Sequence, residues 1–438
     1  MKIKVSLWCL VLTILISACH KKDSDDGYTP GINWQKMLGG TDLDGANDAK
    51  KTSDGGLIVT GYSKSADGDL TGNKGGEDIL VAKLDASGNK QWVKNFGGSA
   101  AENGSAVVTT SDGGYIIAGT TQSSDGDIPA NQGNSDLVLL KLDASGNKSW
   151  VKTYGGSQLE ETTSIISTLD GGYLLLGRTT STDGIATGNH GGSDIMLIKL
   201  DASGDKQWVK LLGGSLNDLP GQILLTADGG YMLCGSSESK DGDISSNKGG
   251  FDYLLMKLDA SASKVWDKTF GGSGSEYARG MIALENDQYV LTGSTNSKDG
   301  DVSFNHGGAS DIWVVYAVSS GIKLWEKTFG GPQEDYSYCI TAAGTEGSFI
   351  IGGYSNSKEG ETGNNKGGYD VLLVSMNING TFHTPSSFGG SLSDRPSVII
   401  PIGNHTYVVA GYSSSTDSDF TGNHGNGNDD AFLMKLGL

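Results

Sequence analysis

The sequence is poor in basic residues and above all in arginine. It has 32 Lys and Arg against 51 Asp and Glu, a formal net charge of −19, and only three arginines, at 178, 279 and 395. Nucleic acids and anionic lipid surfaces are bound by basic protein surfaces. The charge balance therefore argues against nucleic acid and against anionic lipid headgroups as partners.

Cysteine is also scarce, with four in the chain. Cys9 and Cys19 lie in the N-terminal segment, whereas Cys234 and Cys339 each lie in an apolar stretch of a different repeat. Two cysteines placed in this way predict buried thiols and not a disulfide framework or a metal site.

Short catalytic motifs are missing as well. The sequence contains no G-x-S-x-G nucleophile elbow, no H-E-x-x-H zinc helix and no phosphate-binding loop. The three arginines could serve a sialidase-like triad, but the sequence does not place them together. We therefore name no catalytic residue, and a non-catalytic protein is favoured while an enzyme stays open.

A long apolar run occurs at the N-terminus. Residues 1–18 combine two early lysines with VSLWCLVLTILIS, which is too short for a normal spanning helix and predicts an export signal. Residues 16–19, ISAC, resemble the lipobox of bacterial lipoproteins. That resemblance implies cleavage before Cys19 and palmitate-type acylation of Cys19, with residues 19–30 as a flexible tether. The alternatives are an ordinary signal peptide and an uncleaved anchor.

A lipid-anchored protein of the cell envelope follows from this reading. The outer membrane is the favoured location, because the lysine- and acid-rich residues after Cys19 resemble the surface-export signal of some bacterial lipoproteins. The expected contact with the membrane is the lipid anchor alone.

A tryptophan recurs at a fixed spacing along the chain. The segment KLDASGNKQWVKNFGGS at 83–99 returns as KLDASGNKSWVKTYGGS at 141–157, 58 residues further on. Such a period indicates a repeat architecture. Six tryptophans and one histidine mark seven units: Trp34, Trp92, Trp150, Trp208, Trp266, Trp325 and His383.

Each unit contains four short runs rich in β-branched and aromatic residues, separated by Asp-Gly, Gly-Gly and Ser-Gly turns. These runs predict four strands, A to D, joined as hairpins. The C runs, such as LVLLKL at 137–142, are apolar without alternation, as expected where both faces of a sheet are covered. We therefore predict an all-β fold, a seven-bladed β-propeller over residues 31–438. Its units are 34–91, 92–149, 150–207, 208–265, 266–324, 325–382 and 383–438.

The two ends of this region complement each other. The segment INWQKMLGG at 32–40 has the pattern of a D strand without a blade, and DAFLMKLGL at 430–438 ends after a C strand. Either segment alone would leave an open sheet edge. We therefore predict that the N-terminal strand joins the last blade and closes the ring.

The units resemble the seven-bladed propeller repeats of exported bacterial proteins. LDASGNKQW at 84–92 is similar to the tryptophan-docking motif of quinoprotein-like propellers, with one residue fewer between Asp and Trp. The resemblance covers roughly residues 31–438 and implies the fold. Propellers of this kind include cofactor enzymes, lectins and assembly platforms, so the resemblance assigns no function.

An acid follows the double glycine by four residues in every unit. We expect these acids where D strands pass to A strands, as a candidate binding ring near the mouth of the central channel. Like charges at that position need compensation, either from backbone amides, which we favour, or from a cation or basic partner. The seven acids are Asp44, Glu102, Glu160, Asp218, Glu276, Asp335 and Asp394.

The loops between B and C strands carry acids and glycine at calcium-like spacing. DGDLTGNKGGED at 67–78 and its relative at 241–252 place oxygen ligands at positions 1, 3, 7 and 12. Asp and Asn also cap turn amides, and turn chemistry is the favoured explanation. The candidate Ca²⁺ ligands are Asp67, Asp69, Asn73, Asp78, Asp241, Asp243, Asn247 and Asp252, and no other cofactor is expected.

Three functions remain open on the sequence. The first is a non-catalytic, membrane-anchored binding or scaffold propeller that recognises a protein or glycan through the face carrying the B–C loops. The second is a glycan-active hydrolase or lyase, and the third is a purely structural envelope protein. Units five to seven depart most from the repeat, which marks either a partner surface or drift in a scaffold.

Overall fold

The computed structural model describes residues 31–437 except 286, 345–346, 363 and 426. The predicted signal at 1–18 and the tether at 19–30 with Cys19 lie outside these residues. The described part consists of strands with two short 3-10 helices, Gly184–Ala186 and Gly360–Thr362. None of its helices is long and apolar enough to cross a membrane.

The described part of the chain forms 28 strands, which pair antiparallel within their sheets. They are β1 (Gly31–Leu38), β2 (Asp44–Lys51), β3 (Leu57–Ser63), β4 (Asp78–Leu84), β5 (Lys90–Phe96), β6 (Glu102–Thr109), β7 (Tyr115–Thr121), β8 (Asp136–Leu142), β9 (Lys148–Tyr154), β10 (Glu160–Ser167), β11 (Tyr173–Thr179), β12 (Asp194–Leu200), β13 (Lys206–Leu212), β14 (Asp218–Leu225), β15 (Tyr231–Ser237), β16 (Asp252–Leu258), β17 (Lys264–Phe270), β18 (Glu276–Leu284), β19 (Gln288–Thr295), β20 (Asp311–Val318), β21 (Lys323–Phe329), β22 (Asp335–Ala342), β23 (Ser348–Ser355), β24 (Asp370–Asn377), β25 (Ser386–Phe388), β26 (Asp394–Gly403), β27 (Thr406–Ser413) and β28 (Asp430–Gly437).

These strands form seven four-stranded sheets, the blades of a propeller. Blades 1 to 6 are β2–β5, β6–β9, β10–β13, β14–β17, β18–β21 and β22–β25, each in sequence order. Blade 7 has the order β1-β28-β27-β26. The predicted seven-bladed β-propeller is therefore confirmed.

Ring closure uses the N-terminal strand, as the sequence predicts. β1 pairs antiparallel with β28, with Leu38 opposite Ala431 and Trp34 opposite Lys435. Across the seam, Leu57 and Leu80 of blade 1 share one apolar cluster with Val408 and other residues of blade 7. The first and last segments of the propeller thus hold each other in place.

The C strands form the centre of each blade. Every residue of β4, β8 and β12 is buried, because neighbouring blades cover both faces of each sheet. This explains the continuous apolar runs in the sequence. Cys234 of the B strand β15 and Cys339 of the A strand β22 are free, buried thiols, as predicted.

The repeated tryptophans pack between adjacent blades. A Cβ placed on Gly146, in the C–D turn of blade 2, would lie 2.8 Å from Trp92 of blade 1. Gly146 has φ +75°, which L residues with side chains rarely adopt. The recurrent Ser-Gly turn therefore supplies both the backbone conformation and the space for the indole of the preceding blade.

Candidate functional site

The long B–C loops and the D–A connections meet at one end of the ring. The Glu102 amide at the start of an A strand donates to the Glu77 carbonyl at the end of a B–C loop (2.6 Å). Asp44 and Asp429 make the same contact at the seam (2.7 Å). We call this end the loop face. The A–B and C–D turns lie at the other end, because neighbouring strands are antiparallel.

The seven acids of the candidate binding ring begin the A strands, and all are buried between neighbouring blades with exposed fractions of 0–1%. Each accepts a hydrogen bond from the second glycine of the preceding pair, as from Gly98 to Glu102 (2.7 Å) and from Gly156 to Glu160 (2.7 Å). Hydroxyl groups of the B strands satisfy them further, such as Thr179 to Glu160 (2.5 Å). The expectation of a ring facing the channel mouth is therefore corrected: the backbone amides that compensate these charges hold the carboxylates inside the blade interfaces.

A second set of seven acids, which the sequence analysis did not treat as a set, begins the C strands. Their side chains are 0–1% exposed, and one carboxylate oxygen of each accepts a backbone amide, such as Gln132 to Asp136 (2.9 Å). The other oxygen, Oδ1, has no hydrogen-bond partner in the described structure. These residues are Asp78, Asp136, Asp194, Asp252, Asp311, Asp370 and Asp430.

The two sets of acids lie near each other at the blade interfaces. Asp136 Oδ1 and Glu160 Oε2 both lie within 2.8 Å of the point that a Cβ on Gly155 would occupy. Burial, together with the neighbouring carboxylate Glu160, raises the pKa of Asp136. The same causes raise the pKa of Asp78 and Asp252 to about 6. A hydrogen on one carboxyl group of each pair would satisfy the orphaned oxygen.

The predicted ligands of the first candidate calcium loop make hydrogen bonds and an ion pair within the protein. Asp67 accepts the Thr41 amide (2.8 Å), Asp69 pairs with Lys90, and Asn73 donates to the Ser63 carbonyl (3.1 Å). The fourth residue, Asp78, accepts the Lys74 amide through Oδ2.

The second loop repeats this arrangement. Asp241 accepts the Ser215 amide (2.7 Å), Asp243 accepts the Gly213 amide (3.3 Å) and Asn247 donates to the Ser237 carbonyl (2.6 Å). Asp252 accepts the Lys248 amide (2.7 Å). Among the residues that the structure describes, no three His, Cys, Asp or Glu side chains converge on a point suited to a metal ion. The structure therefore does not gather the predicted ligands, and it shows turn contacts in their place.

Aromatic side chains and two of the three arginines gather on the loop face of blades 5 to 7. Tyr354 lies at the centre, with ring centroids 5.3 Å from Tyr336, 5.5 Å from Tyr338 and 5.0 Å from Tyr369. We call the whole group the tyrosine–arginine patch: Arg279, Tyr336, Tyr338, Tyr354, Tyr369, Arg395 and Tyr412.

Arg395 is held within the patch by aromatic faces. Its guanidinium carbon lies 4.7 Å from the ring centroid of Tyr369, 5.2 Å from Tyr354 and 5.9 Å from Tyr412. Arg279 is exposed and lies 5.5 Å from the centroid of Tyr338. Burial raises the pKa of Tyr412 and of Tyr354, which keeps these phenols neutral as hydrogen-bond donors.

The patch borders the central channel. A cavity of about 180 Å³ between the seven A strands is lined by Arg279 and Tyr338 together with polar residues such as Asp48 and Ser397. This volume is below that of typical small-molecule pockets, so a ligand of the patch would rest across the channel mouth and not enter it.

A larger cavity of about 320 Å³ lies at blades 1 to 3, away from the patch. It is lined by Glu77, Asn103, Glu161 and other residues, none of them aromatic. Glu161 is already paired with Arg178 (2.6 Å). We place the candidate site at the patch despite the smaller cavity, because exposed Tyr and Arg side chains are the groups that anchor ligands and partners.

The sequence analysis missed the patch, although a signal was present. Residues two and four of each A strand hold the same register in every blade, yet only blades 5 to 7 place Tyr or Arg there. In blades 2 and 3 the same positions hold polar residues such as Asn103 and Thr163. A comparison of the repeats by strand register would have found this concentration.

No protein-family model matches the chain. Among curated proteins, the regulatory protein FlaEY of Caulobacter vibrioides is 26% identical over 204 residues, which is 42% of this chain and 21% of that protein. The chain thus corresponds to about a fifth of that relative's length. This identity and coverage do not assign the chain to a family.

Several solved structures are similar in fold. They include the Pan2 WD40 domain of Neurospora crassa, with a TM-score of 0.47, 9% identity and coverage of 91% of this chain and 95% of that chain. The PQQ-bound aldose sugar dehydrogenase of Streptomyces coelicolor has a TM-score of 0.40 and 13% identity, with coverage of 93% of this chain and 98% of that chain. A protein of Dyadobacter fermentans has a TM-score of 0.48 and 11% identity, with coverage of 93% of this chain and 99% of that chain. Likeness at this level carries no argument about function.

Proposed function

We propose that this propeller is a non-catalytic binding protein of the bacterial cell envelope that recognises its ligand through the tyrosine–arginine patch. The observation that carries the proposal is the concentration of partly exposed Tyr and Arg side chains on the loop face of blades 5 to 7. A scaffold without a ligand has no use for such a concentration, since blades 1 to 4 complete the ring without Tyr or Arg at the second and fourth positions of their A strands.

A glycan is the favoured class of ligand. Tyrosine rings offer flat apolar faces for the C–H faces of sugars, and their hydroxyl groups and the arginines supply directed hydrogen bonds. Tyr338 is 39% exposed and lies between the channel mouth and Tyr354, where a sugar ring could stack on it. A protein ligand would use the same aromatic and arginine anchors, so it is the competing outcome.

Screening of the purified full-length protein on a glycan array tests this proposal. We expect binding to a defined set of glycans, and Tyr338→Ala should weaken it by about tenfold, since stacked aromatic side chains act as hot spots. Thr163→Ala, at the same register in blade 3, is the matched control and should bind as the wild type does. Loss of binding in the control only, or capture of a protein in the absence of any glycan signal, would overturn the glycan assignment.

An enzyme acting on glycans is the second candidate, and one contact favours it. The Tyr369 hydroxyl donates to Glu334, and a Tyr–Glu pair serves as the nucleophile in some glycosidases. However, burial and this hydrogen bond raise the pKa of Tyr369 to about 12, which disfavours the phenolate that attack requires. Release of fluorophore from aryl glycosides by the wild type, abolished in Tyr369→Phe, would establish this alternative in place of simple binding.

Attachment to the membrane through Cys19 is part of the proposal. Cys19→Ser is expected to move the protein from the membrane fraction to the soluble fraction. The substitution removes the residue that would carry the acyl chains, and stable anchoring needs more than one such chain. Fractionation of cells fed with labelled palmitate measures both properties at once. A Cys19→Ser protein that stays with the membranes, beside a wild type that takes up no label, would refute the anchor.

A further inference from the structure

The arginines of the patch lack the partners that charged groups in proteins usually have. The chain has 51 acidic residues for 32 basic ones, so a carboxylate is easily found for a cation. Arg178 does have one, Glu161. Among the described residues, neither Arg279 nor Arg395 has a carboxylate oxygen within 4.0 Å.

Arg395 shows the clearest deficit. Its Nε is buried and has no hydrogen-bond partner among the described residues. Aromatic faces surround the guanidinium group, and a buried N–H without an acceptor is costly. Glu334, an acid on this part of the loop face, accepts the hydroxyl of Tyr369, and its backbone amide donates to Asn356 Oδ1 (2.8 Å). Arg395 has a side-chain hydrogen bond with Tyr412, but its Nε stays without a partner among the described residues. An acidic group from outside the chain would therefore supply the anionic partner that Arg395 lacks.

The two arginines are joined by one continuous aromatic surface. Arg279 stacks on Tyr338, Tyr338 packs beside Tyr354 at 5.5 Å, and Tyr354 carries Arg395. A ligand lying across this surface would meet a cation at each end and aromatic faces between them. A planar guanidinium binds carboxylate and sulfate groups with two parallel hydrogen bonds.

We propose that the ligand of the patch is an acidic glycan, whose carboxylate or sulfate groups bind Arg395 and Arg279 while a sugar ring stacks between them on Tyr338 and Tyr354. The proposal rests on the proposed function and names its ligand class. The opposite side of the channel mouth, with Glu77 and Glu161, repels such a ligand. The charge distribution thus confines an acidic glycan to blades 5 to 7.

Paired oligosaccharides that differ only in charge test this inference. Calorimetry with the purified full-length protein would use a galacturonan hexasaccharide and its carboxyl-reduced form, and a chondroitin sulfate tetrasaccharide and its desulfated form. We expect at least about tenfold tighter binding of one acidic member than of its uncharged partner, with affinity falling as NaCl is raised. The pair that discriminates identifies carboxylate or sulfate as the recognised group.

Variants of the arginines locate the charge recognition. Arg395→Gln and Arg279→Gln should each remove most of the preference for the acidic member, whereas Arg178→Gln, the matched control, should keep it. Arg395→Lys keeps the positive charge but lacks the planar guanidinium group, so it should show an intermediate preference for the acidic member. This variant keeps the test decisive if Arg395→Gln fails to fold. Equal binding of charged and uncharged members overturns the acidic-ligand inference and leaves the glycan-binding proposal standing. Absence of binding to every oligosaccharide here and on the array overturns both.

Discussion

Deletion of residues 31–38 is expected to destabilise the whole propeller. This change removes β1, leaves β28 as an open edge and exposes the apolar seam to which Leu38 and Trp34 contribute. Loss of a packed strand should lower the free energy of unfolding by at least about 4 kcal/mol, more than a single core truncation commonly does. Thermal and urea unfolding followed by circular dichroism would measure the loss.

A peptide with the sequence GINWQKML supplies the control for this deletion. If β1 acts by pairing with β28, the peptide added in trans should restore the melting temperature of the truncated protein in a saturable way. A scrambled peptide should have no effect. An unchanged melting temperature in the truncated protein would refute closure by the N-terminal strand.

The free energy of unfolding is expected to fall as the pH rises from 5 to 8. Burial raises the pKa of Asp78, Asp252, Asp311, Asp394 and Asp430 to about 6, above the value of an unfolded aspartate. The folded protein therefore binds protons at these five carboxylates more readily than the unfolded chain does. The stability they contribute is complete below about pH 4 and is lost as the pH rises through 6. Melting temperatures across this range should show a decrease of several degrees.

Replacement of one acid of a pair isolates the cause. In Asp136→Asn the amide can donate to Glu160 at any pH, so the variant should be more stable than the wild type by about 1 kcal/mol at pH 8. As the pH falls and the wild-type carboxyl group takes up its own proton, the difference should shrink, because burial raises the pKa of Asp136. Asp112→Asn is the control, because pairing with Lys141 lowers the pKa of the exposed Asp112 and its effect should be equal at pH 5 and at pH 8. A less stable Asp136→Asn at pH 8 would contradict the shared-proton account.

The fold could be predicted from the sequence because its causes are local and repeated seven times. The Ser-Gly turn that receives a tryptophan, the apolar C runs and the complementary ends each depend on short segments. Each strand pattern alone is weak, but the same pattern in seven units predicts the strands consistently. Ring closure is predicted because the D-strand pattern at 32–40 lacks a blade and the chain ends after a C-strand pattern at 430–438. The structure shows β1 on β28 as this matching requires.

The candidate site could not be predicted in the same way because it depends on contacts between different units. Tyr354 and Arg395 are 41 positions apart in sequence and meet only because β22, β23 and β26 lie side by side at the channel. The acids that do repeat drew attention as a binding ring, yet burial between blades explains why all seven units keep them. Repetition thus marks the scaffold, and departure from it marks the candidate site.

Hydrogen–deuterium exchange with and without a saturating glycan from the array is the measurement that tests the central claim most directly. Bound ligand should protect amides in β18, β22, β23 and β26 near the loop face. The equivalent strands of blades 2 and 3, β6, β7, β10 and β11, should exchange as in the free protein. Protection confined to blades 2 and 3, or to the turns at the opposite end of the ring, would contradict the placement of the binding site at the tyrosine–arginine patch.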